Sequence, residues 1–397
     1  MGIRRITILV FVGYYLPGYK SGGPVRTVAN MVEALGDEFE FRIITADRDI
    51  LDEVPYPGIT ADTWVQVGKA WVYYASSRKR GFSSWANLIR TTPHSVLYLN
   101  SLFDPVYTLQ PLMCRKLLDI PMKPVVVAPR GELSPGALGL KWWKKRSFLA
   151  IAKITRLYWN VQWHASTEDE ARLIRRQFRV DDSVVIARNL PAMPYSPPST
   201  NPEDNWTGPL RIVFLSRISR MKNLDYALRV LSGYHKPIQF DIWGTLEDAD
   251  YWKECQAIIQ AMPENVRVRY HGVADHDEVP QIIAKYDLFF LPTQGENYGH
   301  VIAEALTAGT PVLLSNATPW RNLNSDGVGW DLPLDAGQDV FLKAIQEAAE
   351  KVTVERATWR RRVNEYAIKH LGDPALLEAN RLVFLQALSR GKKCAMN

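Results

Sequence analysis

Asp287-Leu288-Phe289-Phe290-Leu291-Pro292-Thr293-Gln294-Gly295-Glu296-Asn297-Tyr298-Gly299-His300-Val301-Ile302-Ala303-Glu304-Ala305-Leu306-Thr307-Ala308-Gly309-Thr310-Pro311-Val312 holds a strand, a loop, a helix and the start of a second strand. An apolar run closing at Pro292 reads as a buried strand. A loop carrying Glu296 follows, then a helix from about His300 to Ala308, stopped by Gly309. Val301, Ile302, Ala305 and Leu306 share a face toward a sheet, while His300 and Glu304 lie one turn apart on another. Pro311 opens the next strand. The loop backbone and the helix N-terminus offer N–H groups and a positive dipole end, suited to a phosphate or to sugar hydroxyls.

The same rhythm runs outward in both directions. Ile6 to Val12, Phe41 to Thr45, Ser95 to Leu99 and Pro124 to Ala128 read as buried strands, and Pro24 to Leu35 as a helix. After residue 209 it restarts, with strands at Arg211 to Ser216, Gln239 to Trp243, Val266 to His271, Leu288 to Pro292 and Pro311 to Ser315, and a helix at Asn223 to Leu231. Strands alternating with helices imply α/β architecture and parallel sheets. Residues 191–209 hold six prolines in 19 positions and read as a linker. The expected organisation is a first Rossmann-like domain at 1–190, the linker at 191–209 and a second such domain at 210–373. Ligands of such sheets bind beyond the carboxyl ends of the strands.

Composition narrows the function. The 397 residues are 47% hydrophobic and 23% charged, as in a folded protein, and no apolar run is long enough to span a bilayer. The N-terminal apolar run reads as a core strand, without a signal-peptide cleavage site. Cys114, Cys255 and Cys394 are odd in number and lack CxxC spacing, which speaks against a disulfide or zinc framework and for a cytoplasmic setting. The net charge of +6 is uneven: residues 1–195 carry 26 basic and 17 acidic side chains, +9, and the remainder −3. No nucleic-acid-binding motif accompanies that charge, so nucleic acid is not an expected partner.

Glutamates eight residues apart, like Glu296 and Glu304, carry no signal alone; strand, Gly-containing loop and helix around them supply it. A second element is Ile212-Val213-Phe214-Leu215-Ser216-Arg217-Ile218-Ser219-Arg220-Met221-Lys222-Asn223-Leu224, a strand, a basic loop and a helix start. Arg217 and Lys222 there suit a diphosphate, one as a planar fork and one as a point charge; a solvated basic turn is the other reading. Together the two elements resemble the E-x7-E and Arg-x4-Lys signatures of the GT-B glycosyltransferases of family 4, the group 1 glycosyltransferases. Asn297 stands where that family usually has Gly, and Ser216-Arg217-Ile218 where it has Gly-Arg-Leu.

The resemblance implies the GT-B fold, two Rossmann-like domains facing each other across a cleft, with the second binding the nucleotide sugar, the first the acceptor, and residues 374–397 crossing back to the first. It implies retaining transfer of a hexose-type sugar from a nucleotide-diphosphate sugar to a glycan or lipid-linked acceptor, in bacterial surface polysaccharide synthesis, with no cofactor and no metal. By this resemblance Glu296, Arg217 and Lys222 are catalytic. The donor would be held by Gly22, Gly23, Arg217, Lys222, His271, Gly272, Glu296, Asn297, Tyr298, Gly299, His300 and Glu304. Gly22-Gly23 precedes a helix, which also suits a plain tight turn, and His271-Gly272 ends a strand, where packing is the commoner role. Asp47-Arg48-Asp49 and Asp248-Ala249-Asp250 mimic metal motifs, but such tripeptides arise readily by chance.

In the first half, Arg130, Glu132 and His164 are the acceptor-binding candidates; salt bridging suits the first two equally, and a core position is the default for His164. Leu133 to Thr167 is 35 residues without an acid and holds six cations, Lys141, Lys144, Lys145, Arg146, Lys153 and Arg156, with four tryptophans, 142, 143, 159 and 163. The stretch 138–159 suits an anionic membrane surface, the inner leaflet for a cytoplasmic protein, or equally a domain helix with solvated charges. The alternative functions are a GT-B nucleotide-sugar epimerase or phosphorylase, and a non-catalytic membrane-associated scaffold of a polysaccharide assembly complex.

Overall fold

The computed structural model describes residues 5–20, 22–50, 52–118, 120, 123–139, 142–192, 206–275 and 278–396. The chain divides into two compact units, residues 1–193 with 374–397, and residues 194–373. Most of the Pro-rich stretch, residues 193–205, and Lys141 lie outside the described residues.

The first unit is built on an eight-stranded sheet. Its strands are β1 (Ile6–Phe11), β2 (Phe39–Ala46), β3 (Trp64–Val67), β4 (Ala70–Ala75), β5 (Val96–Leu99), β6 (Val125–Val127), β7 (Val161–Ala165) and β8 (Val184–Ile186). They run in the order β3-β4-β2-β1-β5-β6-β7-β8. Every pairing is parallel except β3 with β4. Ile8, Leu9, Val10 and Phe11 are all fully buried, because helices cover both faces of a parallel sheet and both faces must then be apolar. The helix Gly23–Leu35 buries Val25, Val28, Met31, Val32 and Leu35, one stripe at helical spacing, and Pro24 sits in its first turn, where no N–H is needed. β3 and β4 were not among the expected strands. They form a hairpin turning at Gly68, whose φ of 53° favours glycine, and β3 is a short edge strand with little burial to mark it.

The helix Pro374–Met396 belongs to this unit. Val383, Phe384 and Ala387 enter its core, and the Phe384 ring meets Phe39 at 5.4 Å and Tyr98 at 5.5 Å. Asn380 Nδ2 donates to the Arg188 carbonyl at 2.8 Å.

The second unit is built on a six-stranded, wholly parallel sheet: β9 (Leu210–Leu215), β10 (Ile238–Trp243), β11 (Val266–Tyr270), β12 (Leu288–Leu291), β13 (Val312–Ser315) and β14 (Gly329–Leu332). The order is β11-β10-β9-β12-β13-β14. Successive strands therefore run outward from β9 to one side and, from β12 onward, to the other. The loops following β9 and β12 leave the sheet in opposite senses, and that switch point is where an open α/β sheet accepts a ligand. Below it the core is tied by Asp287, fully buried and paired with Arg211 at 3.0 Å and Arg356 at 2.6 Å, so its charge is compensated.

Candidate active site

Two loops meet at the β9/β12 switch point. The first runs from β9 through a single 3-10 turn, Arg220–Lys222, to the helix Leu224–Ser232. Asn223 joins the two in a left-handed conformation, φ 62°, which asparagine tolerates better than most residues. The second runs from β12 to the helix His300–Thr307. Four hydrogen bonds stitch the loops and the strand ends together. The Met221 carbonyl accepts from Gln294 N at 2.8 Å and Thr293 Oγ1 at 3.0 Å, Asn223 Nδ2 donates to the Pro292 carbonyl at 3.0 Å, and Glu296 N donates to the Ala317 carbonyl beyond β13 at 2.9 Å.

The stitching brings two of the expected residues into contact. Lys222 Nζ donates to Glu296 Oε2 at 2.5 Å, with side chains only 10% and 18% exposed. Asn297 N donates to the other oxygen, Oε1, at 3.1 Å. The carboxylate is thus held at both oxygens, and the ammonium is held at the strand ends with part of its donor capacity remaining. Arg217 stands apart from this pair. It bonds Glu247 Oε1 at 2.8 Å, and both side chains are over 40% exposed. Glu247 was missed in the sequence; its one signal is its place in the loop after β10, three residues beyond Gly244.

Gly244 is required by close approach. Its φ is 147°, and a Cβ there would stand 1.8 Å from the Ser216 carbonyl oxygen, so the loops after β9 and β10 press backbone to backbone. Gly244 N donates to the Gly272 carbonyl at 2.8 Å. Next to it His271 stacks on Trp243, centroids 4.6 Å apart and planes 9° apart, and its Nε2 lies 3.1 Å from the buried Asp241. Asp241 also accepts from Tyr286 Oη at 2.8 Å.

Gly299 precedes the helix His300–Thr307 with φ 79°, and a Cβ there would meet Ile302 Cδ1 at 2.6 Å and Glu296 Cγ at 3.1 Å. The loop therefore closes tightly on Glu296. Tyr298 is buried, its ring 4.7 Å from His300, and its carbonyl accepts from Trp320 Nε1 at 2.6 Å. His300 and Glu304 are both partly exposed and one helical turn apart.

In the first unit Gly22, φ 69°, caps the helix Gly23–Leu35, and no atom lies within 4 Å of a Cβ built on Gly22 or Gly23. That is open backbone at a helix N-terminus. Arg130, φ 54°, is held by three side chains: Nε donates to Asn100 Oδ1 at 2.9 Å, Nη1 to Asn189 Oδ1 at 2.6 Å and Nη2 to Tyr98 Oη. Glu132 accepts from Ser101 Oγ at 2.9 Å, Leu102 N at 2.5 Å and Phe103 N at 3.1 Å, and burial raises its pKa despite those bonds.

His164 corrects the sequence expectation of direct acceptor contact. It has no exposed surface; Nε2 contacts the Ala187 carbonyl at 2.9 Å and Nδ1 contacts Tyr98 Oη at 2.8 Å. Burial, followed by the nearby Arg130 charge, lowers its pKa to about 3. The neutral ring donates from Nε2, accepts at Nδ1 from the Tyr98 hydroxyl, and so leaves that oxygen to accept from Arg130. His164 thus touches Arg130 only through Tyr98. Tyr98, Asn100 and Asn189, which hold Arg130, were not among the candidates; the first two sit at and just beyond the end of β5.

Neither Asp-x-Asp tripeptide presents a pair of open carboxylates. Asp47 bonds Arg48 at 2.8 Å and Arg80 at 2.5 Å, and Asp49 accepts from Tyr19 N and Lys20 N. Asp248 caps the helix Ala249–Gln260 through Tyr251 N, and Asp250 pairs with Lys253.

The basic, Trp-rich segment forms helices Pro135–Gly139 and Trp142–Ile154. One face of it is core, as in the domain-helix reading, and another carries exposed apolar side chains. Leu149, Ala152 and Tyr158 are buried, whereas Trp143, Ile151, Ile154 and Trp159 are 58% to 83% exposed. Trp143, Ile151 and Ile154 share a helical stripe, flanked by exposed Lys144, Arg146, Lys153 and Arg156. Lys145 turns inward, donating to the Ala137 carbonyl at 2.7 Å. Among the described residues no helix is long and apolar enough to cross a membrane.

Residues 200–369, under half of the chain, match the family model described as glycosyl transferases group 1. Over 120 residues the chain is 28% identical to an uncharacterized 41.2 kDa protein of the cps region of Klebsiella pneumoniae, covering 30% of this chain and 31% of that protein. The chain spans less than half the length of the curated relatives it matches. Among solved structures it is similar to Anabaena HepE in complex with UDP and glucose, TM-score 0.65 at 17% identity over 97% of this chain and 100% of that one. It is also similar to sucrose-phosphate synthase from Thermosynechococcus elongatus, TM-score 0.70 at 14% identity over 97% and 100%. At such identities the likeness is one of fold, and the fold is the two-domain α/β GT-B architecture. The family match is confined to residues 200–369, whereas the likeness in fold extends over 97% of the chain.

Proposed function

We propose that this protein is a retaining glycosyltransferase of family 4 that moves a hexose-type sugar from a nucleotide-diphosphate sugar to a glycan or lipid-linked acceptor in bacterial surface polysaccharide synthesis. The observation that carries the reading is the Lys222–Glu296 pair at the β9/β12 switch point. A cation and a carboxylate held rigidly at that place suit, respectively, a phosphate and the hydroxyls of its sugar. HepE binding UDP and glucose, and the cps-region relative, support the donor class and the setting.

In this reading Lys222 and Arg217 stabilise the charge that develops on the diphosphate leaving group, and Glu296 orients the donor sugar. Glu304 takes the ribose, His271 and Gly272 lie toward the base, and Asn297, Tyr298, Gly299 and His300 supply the loop and helix N-terminus. Gly22 and Gly23 are the first unit's phosphate contacts, and Arg130, backed by His164 and Glu132, faces the acceptor. The acceptor oxygen attacks the anomeric carbon on the face from which the diphosphate departs. The carbon–oxygen bond to the diphosphate breaks, and the leaving diphosphate takes the acceptor's proton. No divalent metal or cofactor enters the scheme, since Lys222 and Arg217 supply the positive charge. The exposed stripe of Trp143, Ile151 and Ile154 with its flanking cations seats the protein on an anionic inner leaflet.

The test is a thermal-shift screen of nucleotide-diphosphate sugars, followed by product analysis with the stabilising donor and crude lipid-linked acceptors. A donor-specific rise in Tm and an acceptor-dependent product with retained anomeric configuration are expected. Acceptor-independent release of an altered sugar would favour the epimerase alternative. Absence of any response would remove the reading.

A further inference from the structure

A cavity of about 170 Å³ opens in the first unit at the starting ends of β6 and β7, the sheet edge opposite the one that leads to Gly22 and Arg130. Three cations line it: Arg115 from the helix Gln110–Leu117, Lys123 before β6, and Arg390 from the helix Pro374–Met396. Among the described residues none of the three is paired with a carboxylate. Arg115 Nη1 reaches only the Trp159 carbonyl, at 3.4 Å, and its Nε is buried without a hydrogen-bond partner. Arg390 Nη1 donates to the Asp182 carbonyl at 2.5 Å.

Like charges gathered around one cavity repel, and a buried guanidinium N–H without an acceptor is costly. Burial accordingly lowers the Arg115 pKa. An oxyanion answers both problems, and a guanidinium fork fits a tetrahedral one well. A fourth wall residue adds a different requirement. Gln162 is 3% exposed, its Nε2 donates to the Val383 carbonyl at 2.5 Å, and its Oε1 is buried without a donor. The ligand should therefore carry a hydroxyl beside its anionic group. The size excludes a nucleotide sugar, because pockets for ligands of that scale run to about 300 Å³ and more. Gly391 lets the last helix close the wall: a Cβ there would stand 2.4 Å from Pro124 Cγ.

We propose that this cavity is a binding site for a hydroxylated phosphate ester of glycerol-phosphate size, separate from the donor site. The phosphate meets Arg115, Lys123 and Arg390, and a neighbouring hydroxyl donates to Gln162 Oε1. The same chemistry is offered by a free phosphate ester and by the headgroup of phosphatidylglycerol; Trp159, exposed at the rim, borders the cavity on the side of the basic helix.

The experiment titrates the purified full chain with glycerol 3-phosphate by thermal shift, and separately floats it with phosphatidylglycerol and phosphatidylcholine vesicles. Wild type is compared with Lys123→Gln and with Lys123→Gln/Arg390→Gln. Lys123 is exposed, so its single replacement leaves the fold intact, and unliganded unfolding midpoints check this. A wild-type Tm that rises with glycerol 3-phosphate, with a half-saturating concentration about tenfold or more higher in the variants, supports the site; that is the loss of one charge-assisted hydrogen bond. If the variants also lose binding to phosphatidylglycerol vesicles, the source is a lipid headgroup. If vesicle binding is unchanged while the soluble response is lost, the source is a free ester. Equal responses of wild type and variants to both probes overturn the proposal.

Discussion

The ammonium of Lys222 lies 2.5 Å from Oε2 of Glu296, a residue 74 positions further along the chain. Apart from the bond that Asn297 N gives Glu296 Oε1, the pairing is not set by neighbours in sequence. Each is set by a loop bonded to the other loop, the Met221 carbonyl accepting from Gln294 N and Thr293 Oγ1 and the Asn223 side chain donating to the Pro292 carbonyl. Lys222→Ala and Glu296→Gln should each lower kcat/KM by about 100-fold or more, the scale of losing a charge stabiliser aimed at a leaving group or its orienting partner. Because the pair is mostly buried, Lys222→Ala should also cost about 3 kcal/mol of stability by stranding the carboxylate, and the further change Glu296→Ala should recover part of it. Steady-state kinetics with urea unfolding of both singles and the double separates the two effects. Near-wild-type turnover in Lys222→Ala would remove the lysine from the mechanism.

Arg217 tests charge without burial. Its bond to Glu247 is exposed on both sides, so breaking it should change stability by less than about 1 kcal/mol. Arg217→Ala should nonetheless lose about 100-fold in kcat/KM, while Glu247→Gln, which leaves the guanidinium in place, should stay within a few-fold of wild type. Equal losses in both variants would mean that the salt bridge, and not the arginine's charge, is what the reaction uses.

Transfer should continue in excess EDTA, because the proposed scheme draws its positive charge from Lys222 and Arg217. Loss of activity restored by added magnesium or manganese would transfer that role to a metal and overturn the scheme.

His164 should make the first unit acid-sensitive. Its native pKa is about 3 against 6.5 for the free side chain. Between those values the unfolded chain binds a proton that the folded chain refuses, so stability is complete above pH 6.5 and falls as the pH drops toward 3. The slope from this one group is about 1.4 kcal/mol per pH unit. Urea midpoints at pH 7 and pH 5 should therefore differ more for wild type than for His164→Gln. An identical pH dependence in the two proteins would remove the histidine as its source.

The stripe on Trp142–Ile154 predicts salt-dependent binding to anionic vesicles at low salt, at about 1 kcal/mol per cation near the surface. Trp143→Ser/Ile151→Ser should weaken flotation at every salt concentration, and Lys144→Glu/Arg146→Glu chiefly at low salt, since screening acts over about 10 Å at 0.1 M. Indifference of wild type to anionic vesicles would leave the stripe a solvated helix face.

Much of the architecture was legible in the chain because burial on both faces of a parallel strand demands a predominantly apolar run. Ile6–Phe11, Leu210–Leu215 and Leu288–Leu291 announce themselves in that way, and the glycines at 299 and 309 bracket a helix by needing positive φ. What periodicity could not show was pairing across distance. That Lys222 meets Glu296 while Arg217 turns to Glu247 depends on which strands become neighbours at the switch point, a property of strand order rather than of any local pattern. That His164 is a buried prop for Arg130 likewise depends on Tyr98, 66 residues away. The edge strand β3 escaped notice because, lightly buried, it needs no apolar signature. Residue types along the chain set which elements form, through steric and solvent preferences felt within a few residues; the chemistry of the site was decided by tertiary contact, because a hydrogen bond or ion pair exists only where the folded sheet brings two remote side chains within about 3 Å.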